Sequence, residues 1–286
     1  MAKKTLPILF TFFLGFSCTH VFYQPTKGNI GNLEKYSPTN LKNIYFKSLD
    51  QKTKLHGWLF KTKQEPKKGL VIQFHGNAEN IWTHSASMLW FLKYGYDVFT
   101  FDYRGYGFSQ GKANVKGIQE DALAALKKAW ELSGKKDRAL VVYGQSLGGI
   151  TALEALTRFE SKKAIHKIII ESSFSSYRKM AMDVLSRHWL TWIFQPLCYV
   201  LISDRYSPKK NLDKISPIPL LVLHGRKDKI VPPKHGQAIF KLAHEPKCYW
   251  EVPKGGHINL MQIEQGKNRK QLIQFLEDSS AIIKCP

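Results

Sequence analysis

The chain has 286 residues, 43% of them hydrophobic and 13% aromatic, which excludes a disordered chain and is enough to bury a core as one α/β domain or one domain with an insertion. Its 43 Lys and Arg against 22 Asp and Glu give a formal net charge of +21, so anionic partners have to be weighed. The cations are scattered in pairs such as Lys67-Lys68, Lys127-Lys128 and Lys209-Lys210, with no run of five and no nucleic-acid-binding signature; no nucleic-acid partner is expected, while a solvated basic face and attraction to anionic lipid head groups both stay open.

At the N-terminus, Lys3 and Lys4 precede an apolar stretch from Leu6 to Phe16 and then Ser17-Cys18. A positive start, a short apolar region and small residues at its end predict a signal peptide over residues 1–18. The apolar stretch is short of the about 20 residues that a membrane span needs. Cys18 resembles the lipid-attachment cysteine of bacterial lipoproteins, although Leu14 lies four rather than three residues before it and Phe16 is bulky for its place. The expectation is an exported lipoprotein anchored to a membrane of the cell envelope through Cys18, with ordinary secretion and an uncleaved anchor as alternatives. Residues 19–42 hold Asn, Pro, Gly and Ser without periodicity and read as a tether or an irregular lead-in. Of the remaining cysteines, Cys248 and Cys285 could bridge in an oxidising compartment; buried free thiols are the expected state.

Two strands, Ile44–Ser48 and Leu55–Phe60, follow with Asp50-Gln51-Lys52 between them, which predicts a hairpin. Gly69–Phe74 is a short apolar strand that ends in His75-Gly76-Asn77-Ala78-Glu79-Asn80. A helix from about Trp82 to Lys93 should stop at Gly95, and a strand at Asp97–Phe101 runs into Asp102-Tyr103-Arg104-Gly105-Tyr106-Gly107. The next helix, about Val115 to Leu132, places Ile118, Ala122, Ala125, Leu126 and Ala129 on one face. The stretch 139–150 opens as a strand and turns into a helix, strands at Lys167–Glu171, Leu220–Leu223 and Cys248–Val252 come next, and a helix from about Lys267 to Asp278 closes the chain. Short continuous apolar strands alternating with amphipathic helices predict an α/β fold over residues 43–286, a mostly parallel sheet with helices on both faces. Residues 174–210 break the alternation and are rich in large apolar groups, which predicts a helical cap over the carboxyl ends of the strands.

The chemistry centres on Gly144-Gln145-Ser146-Leu147-Gly148. An apolar strand before it and a helical pattern after it describe a strand–turn–helix with Ser146 at the apex. A serine nucleophile needs a base within reach and an acid to orient that base. Asp228 follows one predicted strand and His257 the next, so Ser146, Asp228 and His257 stand in the chain order of an α/β-hydrolase triad. Glu171, at another strand end, is the alternative acid. Asp102 is expected to hold its own turn, and His75 and His224 to shape theirs. The tetrahedral intermediate requires two N–H donors, expected from the amide of Leu147 and from that of Asn77, with Ala78 as the alternative to Asn77. Trp189, Trp192 and Phe194 are expected to line an apolar substrate slot under the cap. No Walker A pattern and no His-Glu-x-x-His helix occurs, and neither a metal nor a cofactor is called for.

His75-Gly-Asn-Ala-Glu-Asn80, Asp102-Tyr-Arg-Gly-Tyr-Gly107, Gly144-Gln-Ser-Leu-Gly148, Glu171-Ser-Ser-Phe174, His224-Gly-x-x-Asp228 and Gly256-His257 together resemble the Bem46-like α/β-hydrolases, over about residues 40–280. The resemblance implies the α/β-hydrolase fold and acyl-bond hydrolysis through Ser146, Asp228 and His257. It leaves open a small-molecule or lipid acyl substrate or an acylated protein, and does not choose between ester and thioester. A peptidase on the same triad and a non-catalytic binding protein on a hydrolase scaffold are the alternatives.

Overall fold

A computed structural model describes residues 22–29, 41–134, 138–278 and 285; the expected signal peptide, Cys18 and much of 19–42 lie outside the described residues. Ten strands occur among them: β1 (Gln24–Pro25), β2 (Leu41–Lys47), β3 (Lys54–Phe60), β4 (Gly69–Phe74), β5 (Ala78–Glu79), β6 (Tyr96–Phe101), β7 (Ala139–Gln145), β8 (Ile165–Glu171), β9 (Leu220–Gly225) and β10 (Lys247–Val252). Eight of them form one sheet in the order β10-β9-β8-β7-β4-β6-β3-β2. The β2–β3 hairpin and the β3–β6 pair are antiparallel, and every other pair in the sheet is parallel.

The period of two along the strands divides the core into two layers. Leu140 and Val142 of β7, Ile168 and Ile170 of β8, and Leu220 and Val222 of β9 pack into one cluster, while Val141, Tyr143, Ile169, Leu221 and Leu223 pack into the other. Helices α2 (Val115–Leu132) and α3 (Leu147–Arg158) cover the first layer, and the last helix, Lys267–Glu277, covers the second. Helix α2 has the predicted bounds: Asn114 caps it by accepting the Gly117 amide at 2.8 Å, and its predicted apolar face is fully buried.

Four expectations change. The helix over 82–93 is instead a single turn, α1 (Ile81–His84), followed by two 3-10 stretches, Ser85–Ser87 and Leu89–Tyr94. Polar side chains capture the carbonyls that a continuous helix would use: Ser87 Oγ and Gln73 Nε2 both donate to the His84 carbonyl, at 2.8 and 3.1 Å.

Residues 22–29, inside the expected tether or lead-in, are fastened to the domain, as a lead-in and not as a free tether. Tyr23 is fully buried with its hydroxyl 2.8 Å from that of Tyr177, β1 pairs in parallel with β5, and Asn80 Nδ2 donates to the carbonyls of Thr26 and Gly28 at 3.0 and 2.9 Å. One buried aromatic and a few backbone bonds suffice to anchor an aperiodic segment.

Cys248 is disulfide-bonded to Cys285 rather than free, leaving Cys198 as the buried free thiol among the described residues.

Between β8 and β9 the chain folds into α4 (Tyr177–Ser186), α5 (Leu197–Leu201) and short 3-10 turns. Asp204 ties the two ends of this insertion together, accepting from Ser176 Oγ, the Arg178 amide and Ser207 Oγ at 2.9, 3.1 and 2.7 Å. Burial works against its charge, but these bonds and the Lys209 ammonium win and hold its carboxyl at about 2. The expectation of an inward-facing apolar slot is corrected here. Trp189 and Trp192 are 75% and 56% exposed, and Phe194 is also exposed, so these side chains face solvent and are not enclosed in a slot.

Candidate active site

Ser146 sits between the end of β7 and the first turn of α3, at φ 53° and ψ −119°. A residue other than glycine rarely adopts a positive φ, and the cost is of order 1–3 kcal/mol. The surroundings enforce it. A Cβ on Gly148 would lie 2.0 Å from the Phe74 carbonyl oxygen, and one on Gly144 would lie 2.7 Å from the Gly149 Cα. The β4 strand end and the start of α3 can approach the turn only because both positions lack a side chain. The Ser146 amide donates to the Glu171 carbonyl at 2.9 Å, and Ser173 Oγ donates to the Ser146 carbonyl at 2.6 Å, so the serine is clamped from β8 as well.

The structure brings Ser146, His257 and Asp228 together. His257 Nδ1 lies 2.8 Å from Asp228 Oδ2, and its Nε2 lies 3.0 Å from Ser146 Oγ. With Nδ1–H donating to the carboxylate, Nε2 is left to accept the serine hydroxyl proton. The other oxygen of Asp228 accepts the amides of Ile230 and Val231, at 2.9 Å each. Burial alone would raise this carboxyl, but the nearby His224 ring and the hydrogen bonds from His257 and the Val231 amide outweigh it and hold the group well below the ordinary carboxylate range. Asp228 therefore carries a fixed negative charge against the imidazole.

Glu171, the alternative acid, lies elsewhere in the network. It is buried at the end of β8 and accepts from Tyr143 Oη at 2.9 Å, Gln145 Nε2 at 2.8 Å and the Leu260 amide at 3.1 Å. Through Leu260 it pins the loop that carries His257, and burial pushes its carboxyl up. Ser172 Oγ holds the same loop by accepting the Ile258 amide at 3.4 Å. Sequence reasoning gave no duty to Ser172 and Ser173; the signal was their presence in the Glu171-Ser-Ser-Phe174 motif at a strand end.

On the other side of the serine, the loop after β4 packs closely, with the Gly76 Cβ direction 3.8 Å from Ser146 Cβ. Asn77 spends its side chain on the N-terminal segment, accepting the Gln24 amide at 2.8 Å through Oδ1. His75 is fully buried, donates from Nδ1 to the Gly76 carbonyl at 2.9 Å and stacks on His84; burial, reinforced by His84, pushes its pKa well down, so it is neutral. Asp102 accepts the Ile81 amide at 3.0 Å and so fixes the short helix that follows this loop, beyond holding its own turn. Leu147 is the first residue of α3, where a backbone amide has no acceptor within the helix. The arrangement can take a proton from a serine hydroxyl and offers amides and a helix N-terminus to a developing negative charge.

The doubly layered sheet, the strained serine between strand and helix, and the order of the three side chains define an α/β-hydrolase. The family model described as serine aminopeptidase, S33 matches residues 65–210. The YfhR protein of Salmonella typhimurium is 31% identical over 96% of this chain and 96% of its own length, and bem46 of Schizosaccharomyces pombe is 28% identical over 82% and 77%. Among solved structures, the Pyrococcus furiosus esterase Pf2001 superposes with a TM-score of 0.67 over 90% of this chain and 96% of that one, at 21% identity. The chain belongs to the Bem46-like α/β-hydrolases.

Proposed function

We propose that the protein is a serine hydrolase that cleaves carboxylic ester or thioester bonds of acyl substrates. Ser146 is the nucleophile, His257 the general base and acid, and Asp228 the group that orients and charges the imidazole. The observation that carries this reading is the continuous hydrogen-bond chain from Ser146 Oγ through His257 to Asp228, at 3.0 and 2.8 Å. Ser146 Oγ attacks the acyl carbonyl while its proton passes to His257 Nε2. The amides of Leu147 and Asn77 are the proposed donors to the oxyanion. The imidazolium returns the proton to the leaving alkoxide or thiolate, and a water activated by the same nitrogen releases the acid from Ser146. Asp228 supports the imidazolium because its own carboxyl is held ionised.

A second reading, hydrolysis of peptides from a free N-terminus, is favoured by the description of the matching family model. An aminopeptidase needs a carboxylate offered to the substrate amine. The carboxylates of Asp102 and Glu171 at this sheet edge are both buried away from a substrate amine, and Glu171 is also engaged by Tyr143, Gln145 and Leu260, which supports the ester reading. Export and attachment through Cys18 are supported by the leader, and the Cys248–Cys285 disulfide fits an oxidising compartment. The test is fluorophosphonate labelling followed by turnover of p-nitrophenyl esters, a palmitoyl thioester and aminoacyl p-nitroanilides. Labelling at Ser146 with ester or thioester turnover is expected; cleavage confined to the anilides would put the peptidase reading in its place, and no labelling would leave a binding scaffold.

A further inference from the structure

The insertion between β8 and β9 displays apolar side chains in a concentration that scattered surface residues do not reach. Trp189, Leu190, Trp192, Ile193, Tyr199 and Val200 are each more than half exposed. Ile230 is exposed to the same degree and extends the apolar surface toward the triad. The Arg187 guanidinium donates to the carbonyls of Lys229 and Ile230 at 2.9 Å each, and the Ile230 amide donates to Asp228 Oδ1 at 2.9 Å. One loop thus joins the insertion to the partner of His257.

The charge of the insertion is one-sided. Residues 178–210 hold six Lys and Arg against two Asp. Both aspartates are already engaged, Asp183 by Arg187 and Lys234, and Asp204 by Lys209, Ser176 and Ser207. Arg178, Arg205, Lys209 and Lys210 line a recess of about 360 Å³ on the insertion, together with Ser203, Ser207, Asn211 and the carboxylate of Asp204. The guanidinium of Arg205 rests over the Tyr206 ring, and among the described residues it has no carboxylate partner. Tryptophans and a tyrosine among aliphatic groups, with cations alongside, are the composition that settles at the boundary between head groups and acyl chains. A second copy of this chain fits less well, because a two-fold contact through the same face would set its cations against one another.

We propose that the exposed apolar face of residues 184–201 and the cationic recess on the same insertion form a docking surface for an anionic phospholipid bilayer. The apolar side chains enter the interfacial layer, Arg205 and Lys210 meet lipid phosphates, and the Asp228 side of the site is brought against the membrane. That the acyl substrate is drawn from the bilayer rests on the serine hydrolase reading; the docking itself does not.

The test is hydrogen–deuterium exchange of the full-length chain mixed with vesicles, read at residues 187–201 so that attachment through the leader does not enter the signal. Vesicles of equal parts phosphatidylglycerol and phosphatidylcholine should slow exchange there, phosphatidylcholine alone should do so weakly, and added salt should reverse the effect. Arg205→Gln with Lys210→Gln should raise the half-protecting lipid concentration about 25-fold, at about fivefold per cation. Trp189→Ser with Trp192→Ser should raise it about tenfold or more. Both double variants should turn over a soluble acetate ester like the parent, which shows that they fold. Ser146→Ala should retain full protection, which separates docking from catalysis. The proposal is overturned if vesicles leave 187–201 unprotected, if neutral vesicles serve as well as anionic ones, if protection follows protein concentration without lipid, or if Ser146→Ala abolishes it.

Discussion

Replacing Asp228 by Asn tests the triad most directly, because it changes one oxygen to nitrogen and leaves the shape alone. In the parent, Oδ1 is committed to the amides of Ile230 and Val231, and Oδ2 accepts from His257 Nδ1 at 2.8 Å. An asparagine oxygen must stay with the two backbone donors, so its NH₂ turns toward His257. Nδ1 then has to accept, the imidazole proton moves to Nε2, and the nitrogen 3.0 Å from Ser146 Oγ loses the lone pair that would take the serine proton. The expected loss is about 10⁴-fold in kcat, the equivalent of about 5.5 kcal/mol of transition-state stabilisation. Initial rates on a soluble p-nitrophenyl ester measure it, with the fluorophosphonate labelling rate as a second readout. Linkage supplies a further signature. The Asp228 carboxyl is held below its unfolded value, so its contribution to stability is complete above about pH 4 and is lost as pH falls toward the folded value. The Asn variant should therefore show a shallower acid loss of Tm than the parent below pH 4. Glu171→Gln is the control, since Glu171 holds the His257 loop through Leu260 without touching the imidazole. A loss under tenfold for Asp228→Asn, with a larger one for Glu171→Gln, would refute the assignment of the acid.

Ser146→Gly should abolish labelling yet raise stability by about 1 kcal/mol in a denaturant titration, because glycine tolerates the φ of 53° that serine is forced to adopt; an unchanged or lowered stability would contradict strain at this turn. Cys285→Ser opens a link across 37 residues of sequence and should cost up to about 4 kcal/mol, seen equally when the parent is treated with reductant. Burial keeps His75 neutral, so its contribution to stability is complete above its unfolded pKa and is lost as pH falls below about 6.5. The fall in Tm from pH 7 to pH 5 should accordingly be smaller in His75→Asn, whose side chain can still donate to the Gly76 carbonyl. Cys18→Ser should remove lipid labelling and end membrane retention in fractionated cells if Cys18 is the anchor; unchanged fractionation would point to an uncleaved leader.

What could be read from the residues and what could not divides along a physical line. Strands β4, β7, β8 and β9 are buried on both faces, so their apolar runs are continuous and bounded by turn residues. Their ends needed no tertiary knowledge to place within a few residues. The α2 helix was equally legible because one stripe of small apolar residues and one capping asparagine decide it locally. The stretch 81–94 was not, because its outcome depends on Gln73, a residue on a neighbouring strand that takes a carbonyl from it. Residues 22–29 were missed for the same reason: Tyr23 is fixed by Tyr177, 154 positions away. The insertion shows the limit most clearly. Periodicity and composition establish that its aromatic residues are numerous, but an apolar side chain that lines a slot and one that faces outward have the same sequence signature. Only the packing tells them apart, and here it leaves Trp189 and Trp192 outside. For the site the relation reverses. Ser146, Asp228 and His257 come from three strand ends far apart in sequence, yet they were legible because a parallel sheet sends every such end to one edge. The residues that hold them in register, Glu171 beneath the His257 loop and Ser173 behind Ser146, carry no chemistry of their own and become visible only through the bonds they make.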